Sequence, residues 1–137
     1  MPWTDCKLKL DITDEGGMHK LRFYQPPYGG ELAVVRIPRS QEVRSHKLCE
    51  YPSLFARIVL WIVCGARNYV PIFCVESNTK PYTFARFYRC TDRTNRERTF
   101  AAIGEVKSDS GATFLVKAED YETIVQQLSQ LEQEAEQ

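Results

Sequence analysis

The side chains with reactive potential are few: two histidines, His19 and His46, and five cysteines, Cys6, Cys49, Cys64, Cys74 and Cys90, in a chain of 137 residues. Nucleophilic catalysis needs a base beside the nucleophile, and neither imidazole lies in a recognisable context, with no G-x-S-x-G elbow and no active-cysteine signature. His46 and Cys49 have the H-x-x-C spacing of half a zinc site. A second close pair is missing, because Cys64, Cys74 and Cys90 stand apart in apolar segments such as Ile62-Val63-Cys64 and Ile72-Phe73-Cys74. Gly16-Gly17 and Gly29-Gly30 lack the phosphate-cradling patterns and read as turns, while Asp14-Glu15 and Glu119-Asp120 sit where turn solvation and helix capping account for them. No catalytic residue, metal ion or cofactor is therefore expected. A small enzyme built on Cys49 or His46 ranks below the binding functions considered next.

Cations interleaved with aromatics are the stronger signal. Residues 36–98 hold 12 Lys and Arg against 5 Asp and Glu, net +7, whereas residues 99–137 hold 2 against 8, net −6, within a chain of zero net charge. Backbone phosphates need cations and unpaired bases need flat π-surfaces. Lys7, Lys9, Lys20, Arg22 and Tyr24 alternate with apolar residues and fall on one face of a predicted hairpin. Tyr82, Phe84, Arg86 and Tyr88 share a face of a later strand, and Arg89, Arg93, Arg96 and Arg98 gather around the connection that follows it. The same charges also suit a wet sheet face, or a docking surface for a protein.

The elements that position these residues follow from periodicity. Residues 6–12 and 20–24 alternate around turn residues 13–17 as an antiparallel hairpin, and residues 32–37 form a third strand ended by Pro38. Residues 39–51 are polar and aperiodic, which predicts a loop. Pro52 opens a helix over 54–66 that is apolar almost all round, so it is expected to lie buried in the core against a sheet. Four further strands follow over 69–76, 82–90, 98–107 and 113–117, separated by turn-rich segments. Tyr121, Ile124, Leu128 and Leu131 recur at helical spacing in an amphipathic helix over about 118–136. These residues either fold back on the sheet or form the seam of a homodimer.

The expected fold is one α+β domain over residues 1–137, with about seven antiparallel strands in the order βββ-α-ββββ-α and both helices on one face of the sheet. The N-terminal MPWTDCKLKLD has no basic region leading into an apolar core, and the longest apolar run is far short of a membrane span, so no membrane partner is expected. An odd number of cysteines within apolar runs fits free thiols in a reducing, cytoplasmic setting.

Within residues 98–137, a strand, a charged turn, Thr113-Phe114-Leu115-Val116-Lys117, the step Ala118-Glu119-Asp120-Tyr121 and then Ile124, Leu128 and Leu131 follow in succession. This resembles the end of the PUR and whirly-like single-stranded nucleic-acid-binding modules. The resemblance implies a curved four-stranded antiparallel sheet followed by a helix, single-stranded DNA or RNA bound across the sheets, and a dimer or pseudo-dimer. The expected function is thus non-enzymatic binding of single-stranded nucleic acid through the basic-aromatic set, the alternative being a protein-interaction module that acts as an adaptor or inhibitor of another macromolecule.

Overall fold

A computed structural model describes residues 5–26, 30–38, 52–77, 82–105 and 111–135. Alternating apolar residues and the Gly16-Gly17 turn, both glycines at positive φ, join β1 (Lys9–Glu15) to β2 (Met18–Gln25) with Asp11 opposite Arg22 and Ile12 opposite Leu21. Adding β3 (Gly30–Pro38) to β2 completes a three-stranded antiparallel sheet. After α1 (Leu54–Cys64) come β4 (Arg67–Glu76), β5 (Thr83–Thr91), β6 (Glu97–Glu105) and β7 (Gly111–Val116), a four-stranded meander paired in sequence order, and then α2 (Ala118–Ala135). The element order, the antiparallel pairing and the α+β class are those expected from the sequence. The loop expected over 39–51, with His46 and Cys49, lies outside the described residues.

One large buried cluster holds the two sheets and α2 together. Leu10, Leu21, Phe23, Val35 and Ile37 from the three-stranded sheet meet Phe73, Val75, Ala85, Phe87, Ala101, Ile103 and Phe114 from the four-stranded sheet, and Ile124, Leu128 and Leu131 close it. Phe87 is its hinge point, fully buried, with its ring against Phe23 at 6.4 Å and Tyr121 at 5.5 Å. Polar ties register the layers: Thr83 Oγ1 donates to the Val34 carbonyl at 2.8 Å, and Gln127 Nε2 to the Leu10 carbonyl at 3.0 Å. Asp120, in the first turn of α2 where the helix dipole favours an acid, accepts from the Leu8 amide at 3.0 Å. Cys6 pairs alongside β7 through its amide to Leu115 and its carbonyl from Lys117, before the chain crosses into the other sheet.

Three expectations need correction. The helices do not share a face of the sheet. Alternate residues of a strand point to opposite sides, and Phe87 belongs with α2 while its neighbour Tyr88 belongs to a second cluster with Leu60 of α1. The proposed dimer seam on α2 is not available to a partner, because Ile124, Leu128 and Leu131 are buried in the chain's own core and Tyr121 packs against it. An amphipathic stripe is satisfied by whichever apolar surface is nearest, and here that is the sheet to which α2 is directly joined. The cysteines are not all free thiols either. Cys6, Cys64 and Cys90 are, while Cys74 is disulfide-bonded.

Replacing Phe87 by Ala removes the ring that three layers share, and is expected to cost about 3–5 kcal/mol. Urea unfolding at neutral pH measures it, with the midpoint falling and the slope retained.

Candidate functional site

The face of the four-stranded sheet turned away from α2 carries Tyr88, Cys90, Phe100 and Leu115, all buried. Tyr88 and Phe100 stack at 5.0 Å with an interplanar angle of 21°, and Tyr69 meets Phe100 edge-on at 5.8 Å. Tyr88, which the sequence reading offered to an unpaired base, thus stacks on Phe100 instead. They are roofed by α1, whose contribution is narrow: Ala56 and Leu60 are its buried residues.

Local chemistry fixes both ends of α1. Ser53 Oγ accepts from the Ala56 amide at 3.2 Å as an N-cap, and Gly65 ends the helix in the left-handed region at φ 67, its amide donating to the Trp61 carbonyl at 2.9 Å. The Arg93 amide then donates to the Cys64 carbonyl at 2.8 Å, tying the helix end to the β5–β6 turn. A side chain on Gly65 would stand 2.9 Å from Arg93 Cβ, so the position requires glycine for space as well as for φ.

The outer side of α1 is the exception to everything expected of it. Leu54, Phe55, Ile58, Trp61 and Ile62 face solvent, with Phe55 78%, Trp61 60% and Ile62 69% exposed, while Val70 of β4, also exposed, lies with its ladder partner Arg89 on the other side of the sheet. The full burial expected for residues 54–66 fails because α1 has a sheet on one side only. A missed signal lay in the sequence: a helix apolar all round needs two covering layers, and among the described residues no third helix supplies the second. With side chains of this size, the five α1 residues expose on the order of 700 Å² of mostly apolar surface, above the 300–600 Å² of the largest patch on a typical monomer.

The cations of the sequence reading are dispersed. Lys9, Lys20, Arg22 and Tyr24 occupy the outer face of the three-stranded sheet, where Arg22 pairs with Asp11 at 2.6 Å and lies 5.4 Å from the Tyr24 ring centroid, and Lys20 pairs with Glu15 at 3.6 Å. Lys9 approaches Asp120 at 3.8 Å. Arg86, on the α1 side of the other sheet, lies 4.2 Å over the Phe84 ring and directs two N–H groups to Glu76 Oε1 at 2.9 and 2.7 Å. Arg89, on the opposite side, pairs with Glu97 at 2.7 Å. Arg98 is held between Asp5 at 2.7 Å and Asp92 at 3.2 Å. Six of the nine cations in the set therefore have carboxylate partners. Lys7, Arg93 and Arg96 are exposed with no carboxylate partner among the described residues.

Asp92 organises the turn that carries Arg93 and Arg96. Its buried carboxylate accepts from the Thr94 hydroxyl at 2.7 Å, the Thr94 amide at 2.8 Å, the Arg96 amide at 3.0 Å and Arg98 Nη1 at 3.2 Å. Asn95, at φ 65, completes the turn, and its side-chain oxygen accepts from Arg67 Nη2. The Thr94 hydroxyl leads the donors that hold the Asp92 carboxyl well below the usual carboxylate range, against the opposing effect of burial. Nearby, burial pushes the Cys90 thiol up to about 11 and also raises Cys64 and Cys6, so all three are protonated and weakly nucleophilic at neutral pH. His19 Nδ1 lies 2.8 Å from Asp14 Oδ1 across the first hairpin. No three His, Cys, Asp or Glu side chains converge as a metal site among the described residues.

Comparisons with protein-family models, with curated proteins and with solved structures were made on the whole chain. None gives a significant match. The most unusual part of the described surface is the bare apolar side of α1 with the Asp92 turn at its C-terminal end.

The depressed Asp92 carboxyl fixes the sign of a pH effect. Between its folded value and the unfolded value of about 3.9 the unfolded chain binds more protons, so the contribution of Asp92 to stability is complete above that value and is lost as pH falls below it. Asp92→Asn should therefore be destabilised relative to the parent at pH 7, with the gap narrowing in urea titrations repeated below pH 4.

Proposed function

We propose that this chain is a non-enzymatic protein-interaction module whose docking element is the outward side of α1. The observation that carries the reading is the exposure of Leu54, Phe55, Ile58, Trp61 and Ile62 in one stripe on a helix whose ends are tied down. Burying large apolar residues is worth about 1.5–3 kcal/mol each, and clustered aromatics at the centre of a patch are the residues that dominate binding energy. A rigid helix presenting such a stripe recognises a complementary apolar groove or helix by the spacing of its anchors. The ion pairs on the sheet faces support the same reading, since they leave those faces already neutralised rather than poised for a polyanion.

Affinity capture with nuclease treatment tests it. The parent chain should retain a stoichiometric protein that Phe55→Glu combined with Ile62→Glu loses, while the unfolding free energy of the variant stays within about 0.5 kcal/mol, as for other exposed positions. Retention of the same protein by the variant would refute the α1 assignment.

Arg93 and Arg96 favour a second reading, binding of single-stranded DNA or RNA, because they extend from an exposed turn without carboxylate partners among the described residues. The C-terminal resemblance to PUR and whirly-like modules belongs to this reading. On it, a labelled single-stranded oligonucleotide should bind at low salt with a steep salt dependence that Arg93→Glu with Arg96→Glu reduces. No retardation at low salt would eliminate it.

A further inference from the structure

We infer that the occupant of the α1 stripe is a second copy of this chain, paired through an antiparallel α1–α1 contact about a two-fold axis at Ile58. The inference rests on the protein-interaction reading and names its partner. Its first support is the arrangement of the stripe. Phe55 and Trp61 lie three residues either side of Ile58, and Leu54 and Ile62 four residues either side. Positions three and four apart lie on one side of a helix, so this stripe is symmetric about its own midpoint. A two-fold contact requires that self-complementarity: each residue must meet its counterpart across the axis. Antiparallel pairing sets Ile58 against Ile58, the Phe55 end of one helix against the Trp61 end of the other, and Leu54 against Ile62.

Its second support is electrostatic. Arg57 is the one charged residue of α1, and it is half-buried, with Nε donating to the Pro52 carbonyl at 3.1 Å instead of standing in the stripe. Two copies therefore meet without burying a charge, and their helix dipoles oppose. An acidic partner would find no counter-charge within the stripe. Arg67, near the helix end, already donates to the Asp92 carbonyl and the Asn95 side chain. The third support is size. An exposed apolar area on the order of 700 Å² on α1 is close to one side of an interface of standard size, and apolar character of this degree typifies permanent homodimers.

Light scattering on the full chain, over about 1 to 100 µM, the range in which an interface of standard size holds, is expected to give twice the 15.9 kDa of the single chain. Ile58→Glu should weaken the dimer by at least about 30-fold, as for a central anchor, with unchanged far-ultraviolet circular dichroism. Mixing Ile58→Glu with Ile58→Lys should restore a dimer, because the introduced charges oppose each other at the axis. In a Trp3→Phe background, which leaves Trp61 as the one indole, emission should shift to the blue as the chain associates, a readout that needs no substitution on α1.

A dimer that persists in Ile58→Glu, or Trp61 emission that is the same in the dimer and in the monomer reached by further dilution, overturns the placement on α1. A 15.9 kDa species across the whole range overturns the second copy as occupant. In that event, loss of a captured partner in the Phe55 and Ile62 variant leaves the interaction reading standing, and absence of any captured protein removes both.

Discussion

The constraint on which the rest of the molecule depends is that the four-stranded sheet is apolar on both of its faces. Phe87 and Tyr88 are neighbours in sequence and point in opposite directions, as do Phe100 and Ala101, and Phe114 and Leu115, yet all six are buried. An antiparallel sheet with one wet face needs a single cover. This one needs two. The three-stranded sheet and α2 supply the first, generously, with most of the buried residues in one cluster. The second must come from α1, which has 11 residues and reaches down with Ala56 and Leu60.

The polar groups are arranged to keep that two-sided sheet aligned with its covers. Asp120 takes the Leu8 amide at the point where the chain passes from one sheet to the other, and Asp92 takes three donors from the turn beside α1 and a fourth from Arg98 of β6. Buried carboxylates are tolerable where their lone pairs are filled. Both acids are therefore best understood as corner fastenings. The exposed ion pairs elsewhere, such as Arg22 with Asp11 directly opposite it in the ladder, contribute little energy each in water. They do define which faces are settled and which are open.

Most of the fold was legible in the sequence. Alternation in residues 6–12 and the Gly16-Gly17 turn placed the first hairpin within a few residues, and the 3.6-residue period of Tyr121, Ile124, Leu128 and Leu131 located α2. What periodicity could not convey was which surfaces meet. Residues 54–66 carry apolar side chains in all directions, and such a pattern is the same whether the second side is covered by the chain itself or by something else. The cations showed the complementary failure. Alternation put Lys20 and Arg22 on one outward face, as the structure has it, but pairing with Glu15 and Asp11 depends on strand register, which no single strand encodes. Charge blocks counted along a chain overstate the free charge on a surface for this reason.

The close approach of Gly65 to Arg93 has a mechanical meaning. With the helix end bonded to the turn through the Cys64 carbonyl and no room for a side chain between them, the end of α1 is seated directly on the turn that carries Arg93 and Arg96. A residue larger than glycine at position 65 would therefore press on the Arg93 backbone as well as strain the helix end, so one substitution there would disturb two elements at once.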